Sequence, residues 1–250
     1  MTLEQFFAEN PQVALAFSGG VDSAYLLYAA QKAGVRIRAY YVKTQFQPEF
    51  EYQDAMKLAR LLDAPVTVLR LNALKDAKVA ANPGNRCYYC KRHLFEAIWQ
   101  AARADGFSVL LDGTNASDQV ADRPGIRALR ELEVRSPLRE AGLTKAMIRE
   151  ASREAGLFTW DKPAYACLAT RIPTGTTITQ EDLERTQWAE DYLMGLGFRD
   201  LRVRLFGDCA RVQLPQGLHQ AFLNQKEEIT EKLKTRYAGV LLDMEARNGQ

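Results

Sequence analysis

The sequence has no excess of either charge. Lysine and arginine number 33, aspartate and glutamate number 31, and the formal net charge of the 250 residues is +2. A balance this close to zero provides no global field for holding long nucleic acid, although it does not exclude a local basic patch. The hydrophobic fraction of 47% and the charged fraction of 26% are ordinary for a globular chain, which excludes disordered and fibrous classes.

Long hydrophobic runs and cysteines are also scarce. No apolar run approaches the roughly 18 residues that a membrane-spanning helix requires, so we expect no membrane partner. The opening residues include Glu4 and Glu9 and lack a basic segment followed by an apolar core, so we expect no secretory signal. Four cysteines without such a signal predict a cytoplasmic protein, in which they are thiols, metal ligands or catalysts rather than structural disulfides.

Apolar runs alternate with helical patterns in the first part of the chain. The run from Val13 to Phe17 is apolar throughout, as in a strand that is covered on both faces. Helices are predicted from Asp22 to a stop at Gly34, over 49–62 and over 91–104, and further strands at 37–42, 66–69 and 108–112. This alternation predicts an α/β fold with a parallel sheet wrapped by helices.

The pattern changes towards the C-terminus. The sequence predicts a long helix at 180–194, a hairpin of strands 201–206 and 210–214, a last helix at 225–237 and a strand at 240–244. We therefore predict a parallel-sheet domain at residues 1–172 and a smaller C-terminal α+β domain at residues 173–250, with the active site between them.

The string SGGVDS lies where the first apolar run gives way to a helix. Backbone N–H groups at a helix N-terminus, left uncovered by glycines, bind anions well. The string lacks the lysine of a Walker A loop, and an isolated SGG would indicate only a strand-to-helix turn. We expect the string to bind ATP, with Asp22 binding the accompanying Mg²⁺. Its candidate residues are Ser18, Gly19, Gly20, Asp22 and Ser23.

A second polar string, DGTNASD at 112–118, follows the fourth predicted strand and is continued by Arg123, Pro124 and Gly125. Open α/β sheets bind ligands at the carboxyl ends of their strands. The alternative is a polar loop that caps the next helix. We expect a nucleotide contact, with Gly113, Asp118 and Arg123 as candidates.

The cysteines are unevenly placed. Cys87 and Cys90 form a CxxC pair immediately before a predicted helix, whose dipole favours thiolate. The pair is typical of a redox site, or of a zinc site that adds His93, although zinc requires four ligands and no second CxxC exists. With Cys167 it instead gives three thiolates and an open position, which suits an iron–sulfur cluster. Cys209 is interpreted as a small buried hydrophobic residue.

Four segments together resemble the LarE family of ATP-dependent sulfur transferases, which help to make the nickel-pincer nucleotide cofactor of lactate racemase. These segments are SGGVDS, NPGNRCYYCK at 82–91, DGTNASD with the following RPG, and KPAYACLATRIPTG at 162–175. The resemblance extends over nearly the whole chain. ACLATRIP is its most specific part, whereas SGGVDS alone indicates only the superfamily of PP-loop ATP pyrophosphatases, with its Rossmann-like nucleotide domain.

The resemblance implies a reaction. ATP adenylates a carboxylate of pyridinium-3,5-biscarboxylic acid mononucleotide, and the thiolate of Cys167 attacks the acyl adenylate to form a thioester. Breaking the cysteine Cβ–S bond then leaves a thiocarboxylate on the substrate and dehydroalanine in the protein. Adenylation is needed because a carboxylate is a poor electrophile, and thiolate is a suitable nucleophile near neutral pH.

The resemblance also implies a second sulfur source. Family members with three cysteines hold a [4Fe-4S] cluster and transfer an extra sulfide, which permits repeated turnover. Cys87, Cys90 and Cys167 match that subgroup. Family members assemble as homo-oligomers, and no nucleic acid partner is expected.

Cations and one acid in the second half of the chain are candidates for binding this substrate. Arg202 and Arg204 alternate on one face of a predicted strand, as in a bidentate phosphate clamp. Arg171 follows Cys167 closely enough to hold a carboxylate beside it, and Glu190 meets the substrate or pairs with an arginine. The alternative for each is a solvated charge or a surface ion pair.

Other functions use the same ATP loop. A PP-loop tRNA thiolase with a three-cysteine cluster is the strongest alternative, but it would need an RNA-binding domain or a basic field. An ammonia-using synthetase would have no use for Cys167, and a nucleotide sensor would not release pyrophosphate.

Overall fold

The computed structural model describes residues 1–118 and 124–247, in two compact units. The N-terminal unit comprises Met1–Ala73 and Asn85–Lys162. The C-terminal unit comprises Leu74–Gly84 and the chain from Pro163 onwards. The units thus divide at Pro163, whereas the sequence placed its domain boundary at residue 173, and the second unit also takes in an earlier segment.

A four-stranded parallel sheet with helices forms the N-terminal unit, as the sequence predicted. Its strands are β1 Gln12–Ala16, β2 Arg36–Lys43, β3 Val66–Arg70 and β4 Leu110–Leu111, in the order β3-β2-β1-β4. Its helices are α1 Leu3–Glu9, α2 Val21–Lys32, α3 Glu49–Leu61, α5 Arg86–Ala104, α6 Pro124–Glu131, α7 Pro137–Glu140 and α8 Lys145–Glu154, while α4 Ala77–Ala80 belongs to the other unit.

Strand β1 lies in the middle of this sheet and is buried on both faces. Val13 and Leu15 are 0% exposed and belong to the same hydrophobic cluster as Leu27 of α2. Ala14, also 0% exposed, belongs to a second cluster that includes Trp99 of α5. A central strand covered in this way must be apolar at every position, which explains the continuous run in the sequence.

The C-terminal unit is a smaller α+β structure with its own sheet, as predicted. Its strands are β5 Arg202–Phe206, β6 Cys209–Gln213 and β7 Gly239–Leu242, in the order β5-β6-β7, with β5 and β6 antiparallel and β6 and β7 parallel. The helices α9 Gln180–Gly195, α10 His219–Asn224 and α11 Lys226–Leu233 complete it. Val203 and Val212 form a cross-strand pair on the buried face of the sheet.

Several predicted elements have different bounds in the structure, and two of these differences affect candidate site residues. The fourth strand is limited to Leu110–Leu111. Helix α5 begins at Arg86, so the CxxC pair lies inside the helix rather than before it. None of the described helices is long and apolar enough to cross a membrane.

Candidate active site

The SGGVDS string forms the turn from β1 into α2. Gly20 is the N-cap of α2 and provides no side-chain hydrogen bond to the helix N-terminus. The first N–H groups of the helix therefore remain available for an anion, which the helix dipole also favours. The two serines hold the turn together, because their hydroxyl oxygens lie 3.2 Å apart and the Ser23 hydroxyl donates to the Gly20 carbonyl at 3.2 Å.

Gly19 allows α3 to approach this turn closely. Its φ is +74°, and a Cβ at this position would lie 2.6 Å from the Cβ of Ala55. Real Cβ atoms do not come so close, and a positive φ is costly for residues other than glycine. This position therefore requires glycine for two separate reasons.

A cavity of about 600 Å³ lies beside the turn, within the N-terminal unit. We call it the nucleotide cavity; its lining includes Ser18, Asp22, Ser23, Gly113, Asp118, Pro124, Gly125, Cys87 and Lys91. The two polar strings predicted from sequence thus meet at one cavity. They are in contact, since the side-chain amide of Asn115 donates a hydrogen bond to Asp22 at 3.2 Å. Arg123 lies outside the described residues.

Asp22 is held by partners that the sequence did not indicate. Lys145 Nζ contacts Asp22 Oδ2, and the Asn115 amide donates to Asp22 Oδ1 at 3.2 Å. Lys145 is the first residue of α8. A helix start is visible in the sequence from Thr144, whose side chain accepts a hydrogen bond from the Met147 N–H. Nothing in the sequence marks the lysine as a neighbour of Asp22.

The loop after β4 is ordered by its own carboxylates. Asp112 is 5% exposed and accepts hydrogen bonds from the hydroxyls of Thr114 and Ser136. Asp118 accepts from the Asn115 N–H at 2.9 Å. Asp118 therefore stabilises its own loop, and it also lines the nucleotide cavity. Its predicted contact with nucleotide stays a prediction.

Cys87 and Cys90 lie one turn apart on α5, on the same face of the helix. The Cys87 residue is exposed and lines the nucleotide cavity, and Cys90 is half-buried. Among residues 1–118 and 124–247, no three His, Cys, Asp or Glu side chains are grouped as metal ligands. The described part of the chain therefore supports neither the zinc alternative that added His93 nor the three-thiolate cluster, and the cluster stays a prediction.

A second cavity, of about 440 Å³, lies within the C-terminal unit. We call it the arginine cavity; it is lined by Ala164, Tyr165, Ala166, Thr170, Asp200, Arg202, Arg204 and Arg247. The two arginines predicted on one strand face do share it. Arg247 joins them from beyond β7 and donates to Asp200 at 2.9 Å.

Backbone carbonyls orient the first two arginines. Arg202 donates to the carbonyls of Leu201 and Ala164, each at 2.6 Å, and Arg204 donates to the Thr170 carbonyl. Burial, and after it the positive charges of Arg171 and Arg247, lower the pKa of Arg202 to about 10. Such a concentration of positive charge favours an anionic ligand.

Cys167 is half-buried and precedes a single 3₁₀ turn, Leu168–Arg171. Its carbonyl accepts hydrogen bonds from the Thr170 N–H and hydroxyl, both at 2.9 Å. Two neighbouring residues line the arginine cavity: Ala166, which precedes Cys167, and Thr170, the third residue of the turn. Cys209, by contrast, lies on β6 and packs against Gly239, where a Cβ would lie 3.0 Å from the sulfur.

Arg171 and Glu190 form a buried ion pair. Their side chains are 0% and 1% exposed, and Arg171 donates from Nε at 2.7 Å and from Nη2 at 3.0 Å to the two carboxylate oxygens. Glu190 also accepts from the Val203 N–H at 2.9 Å, and Arg171 donates to the Ala166 carbonyl at 2.9 Å. These two residues therefore form an ion pair, as in the alternative given above, but the pair is buried rather than at the surface. Their predicted contact with substrate stays a prediction.

Similarity to known proteins decides the family. No protein-family model matches the chain. An uncharacterized protein of Synechocystis sp. is 38% identical over 97% of this chain and 92% of its own length. The pyridinium-3,5-bisthiocarboxylic acid mononucleotide synthase of Lactiplantibacillus plantarum is 33% identical over 94% of this chain and 86% of its own length. The chain belongs to the LarE family.

LarE membership makes the chain an ATP-dependent sulfurtransferase. A more distant similarity indicates the wider superfamily: the tRNA-specific 2-thiouridylase MnmA of Pseudothermotoga lettingae is 27% identical over 47% of this chain and 40% of its own length. The similarity to the LarE relative extends over almost the whole chain, and that to the tRNA enzyme over less than half.

Proposed function

We propose that this LarE protein uses ATP to convert a carboxylate of a pyridinium-3,5-dicarboxylate mononucleotide into a thiocarboxylate. The observation that carries the proposal is that the residues on either side of Cys167 line a cavity with three arginines. A thiol beside a cationic cavity suits a substrate with a phosphate and two carboxylates. The synthase from L. plantarum bears the name of the corresponding bisthiocarboxylic acid product.

ATP is assigned to the nucleotide cavity. The N–H groups at the start of α2 and the hydroxyls of Ser18 and Ser23 would hold the pyrophosphate that leaves. The Lys145 ammonium group adds a positive charge beside Asp22. The Asp22 carboxylate is 20% exposed and fits an oxygen ligand for Mg²⁺, which would neutralise phosphate charge.

The proposed reaction has two displacements. A substrate carboxylate oxygen attacks the α-phosphorus of ATP and pyrophosphate leaves. On the route in which Cys167 itself supplies the sulfur, its thiolate then attacks the acyl carbon and AMP leaves, which gives a thioester. Loss of the cysteine Cα proton with cleavage of the Cβ–S bond yields the thiocarboxylate and dehydroalanine.

The origin of the sulfur is either Cys167 itself or a [4Fe-4S] cluster bound by Cys87, Cys90 and Cys167. Two thiols on one helix face, one of them exposed, fit two iron ligands. The described residues contain no assembled group of three ligands.

The test is incubation of the protein with ATP, Mg²⁺ and pyridinium-3,5-biscarboxylic acid mononucleotide, followed by mass spectrometry of the small molecules. We expect AMP, pyrophosphate and a nucleotide in which sulfur replaces one carboxylate oxygen. Thiolation of unmodified tRNA in a parallel reaction, with no change in the pyridinium nucleotide, would replace this proposal by the tRNA thiolase alternative.

A further inference from the structure

The ring of Tyr165 lies against two guanidinium groups. The Cζ atoms of Arg171 and Arg202 are 4.6 Å and 4.7 Å from its centroid. The negative face of an aromatic ring attracts cations, most strongly where water is excluded. The Tyr165 hydroxyl donates a hydrogen bond to Glu190, so the side chain is held at both its ring and its tip.

These two arginines have different contacts in the C-terminal unit. Arg202 lines the arginine cavity and is 4% exposed. Arg171 donates to the carbonyl of Ala166, the residue immediately before Cys167. Tyr165 is therefore in contact both with a cation assigned to the substrate and with the side chain that holds the backbone at the reactive thiol.

Charge explains why an aromatic ring is suitable here. Arg171 and Arg202 repel each other, and each is stabilised by the ring without using a hydrogen-bond acceptor. Glu190 forms a close ion pair with Arg171. The ion pair of Arg202 with Asp200 is longer, with 3.9 Å between Nη1 and Oδ1. Without the ring, the Arg202 guanidinium would lose a cation–π contact.

We propose that Tyr165 is a positioning residue, whose ring orients Arg202 towards the substrate anion and, through Arg171, holds the backbone that carries Cys167. The proposal rests on the proposed function for the identity of that anion. Tyr165 takes no part in bond making or breaking.

Two substitutions separate the ring from the hydroxyl. Tyr165→Phe keeps the ring and removes the bond to Glu190, and Tyr165→Leu removes both. Tyr237→Leu is the matched control, because the Tyr237 ring lies in the C-terminal unit with the Arg185 Cζ 4.8 Å from its centroid, and Tyr237 does not line the arginine cavity. Urea unfolding of all three variants shows whether each remains folded under the assay conditions.

The first measurement is calorimetric binding of nicotinic acid mononucleotide, a pyridinium carboxylate with a phosphate, and of ATP. We expect Tyr165→Leu to weaken binding of nicotinic acid mononucleotide by about tenfold, between the values of an exposed and a desolvated cation–π contact, and to leave ATP binding unchanged. Tyr165→Phe and Tyr237→Leu should bind both ligands like the wild type. Wild-type affinity in Tyr165→Leu, or an equal loss in Tyr165→Phe, would overturn the role of the ring.

The second measurement does not depend on substrate. The rate of iodoacetamide alkylation at Cys167 is followed by peptide mass spectrometry, with Cys209 of the same chain as the internal reference. We expect Tyr165→Leu to change the Cys167 rate and not the Cys209 rate, and Tyr165→Phe to restore it. If the wild type binds no pyridinium nucleotide and forms no thiocarboxylate, the proposed function fails, and an unchanged Cys167 rate then overturns the positioning role as well.

Discussion

At the scale of single residues, the conformation around Cys167 depends on bonds that do not involve its sulfur. The Cys167 carbonyl accepts from the Thr170 N–H and hydroxyl, and the preceding carbonyl accepts from Arg171. A change of the side chain alone therefore leaves the backbone in place. This makes the thiol testable apart from the fold.

We predict that Cys167→Ser retains ATP binding and forms no thiocarboxylate. A serine hydroxyl has no sulfur to transfer and is hardly ionised near neutral pH, so it is a poor nucleophile. Product mass spectrometry and ATP calorimetry measure the two properties. Cys209→Ala is the control and should stay active, since Cys209 packs against Gly239. Full sulfur transfer by Cys167→Ser would remove this cysteine from the mechanism.

Asp22→Ala should abolish pyrophosphate release and leave the fold intact. Asp22 lines the nucleotide cavity and is partly exposed, so its loss removes the proposed Mg²⁺ ligand without opening the core. A coupled pyrophosphate assay measures the effect, and circular dichroism checks the fold. Asp161→Ala, at an exposed position outside the cavity lining, should release pyrophosphate at the wild-type rate. Continued release by Asp22→Ala would contradict the assignment of the loop.

At the scale of elements, the approach of α3 to the start of α2 shapes the phosphate-binding turn. The contact is between Gly19 and Ala55, where no Cβ fits. Gly34, which follows α2, has a similar φ of +71° but has nothing within 4 Å of a would-be Cβ. A substitution at Gly34 therefore introduces backbone strain alone, whereas one at Gly19 introduces backbone strain and steric overlap together.

We predict that Gly34→Ala costs about 1 kcal/mol of unfolding free energy, the usual penalty of a positive φ. Gly19→Ala should cost about 2 kcal/mol more, because overlap with Ala55 adds an overpacking penalty. It should also weaken ATP binding, whereas Gly34→Ala should not. Urea unfolding and calorimetry measure both effects. Equal stability losses in the two variants would show that α3 moves away without cost.

The ion pair of Arg171 and Glu190 joins three elements of the C-terminal unit. It connects the 3₁₀ turn after Cys167 with α9, and Glu190 also accepts from the N–H of Val203, the second residue of β5. A buried pair contributes little net stability, but removal of one partner leaves the other charge without compensation.

Arg171→Met should therefore destabilise the protein by about 3–5 kcal/mol, because Glu190 stays buried and loses its cation. The double variant Arg171→Met with Glu190→Gln should recover part of this loss, since the charge is then absent. Guanidinium unfolding measures both. If the single variant is as stable as the wild type, the pair does not act as a unit.

At the scale of the whole molecule, the two sulfur sources differ in the mass of the polypeptide. Sacrificial transfer removes one sulfur and two hydrogens, about 34 Da, through Cβ–S cleavage. Cluster-mediated transfer leaves the mass unchanged and allows repeated turnover when sulfide is supplied. Because Cys87 and Cys90 are present, we expect the unchanged mass.

Anaerobic reconstitution should accordingly give about four irons per chain, the content of one [4Fe-4S] cluster. Cys87→Ala or Cys90→Ala should lose this iron, and Cys209→Ala should keep it. Metal analysis and the visible absorption of the cluster report the result. One zinc per chain without iron would contradict the cluster.

The sequence alone determined the features whose cause is local. A strand covered on both faces must be apolar throughout, so Val13 to Phe17 predicted β1, and a glycine-rich turn before a helix predicted the phosphate loop from residue order alone. The parallel sheet followed from the alternation of such elements. Arg202 and Arg204 could be placed on one face because a strand alternates with a period of two.

Only the tertiary structure decided which distant residues meet. Lys145 reaches Asp22 from 123 positions along the chain, and no spacing pattern encodes that contact. The segment Leu74–Gly84 joins the C-terminal unit because the Asn82 carbonyl accepts from the Gly175 N–H and the Asn82 amide donates to the Pro173 carbonyl. Likewise, nothing in the sequence distinguishes Tyr165 from other aromatic residues, and only the fold places two guanidinium groups against its ring. The pattern of apolar and polar residues in a segment reflects how that segment is buried. Contacts between residues far apart in the sequence depend instead on how the elements pack in three dimensions.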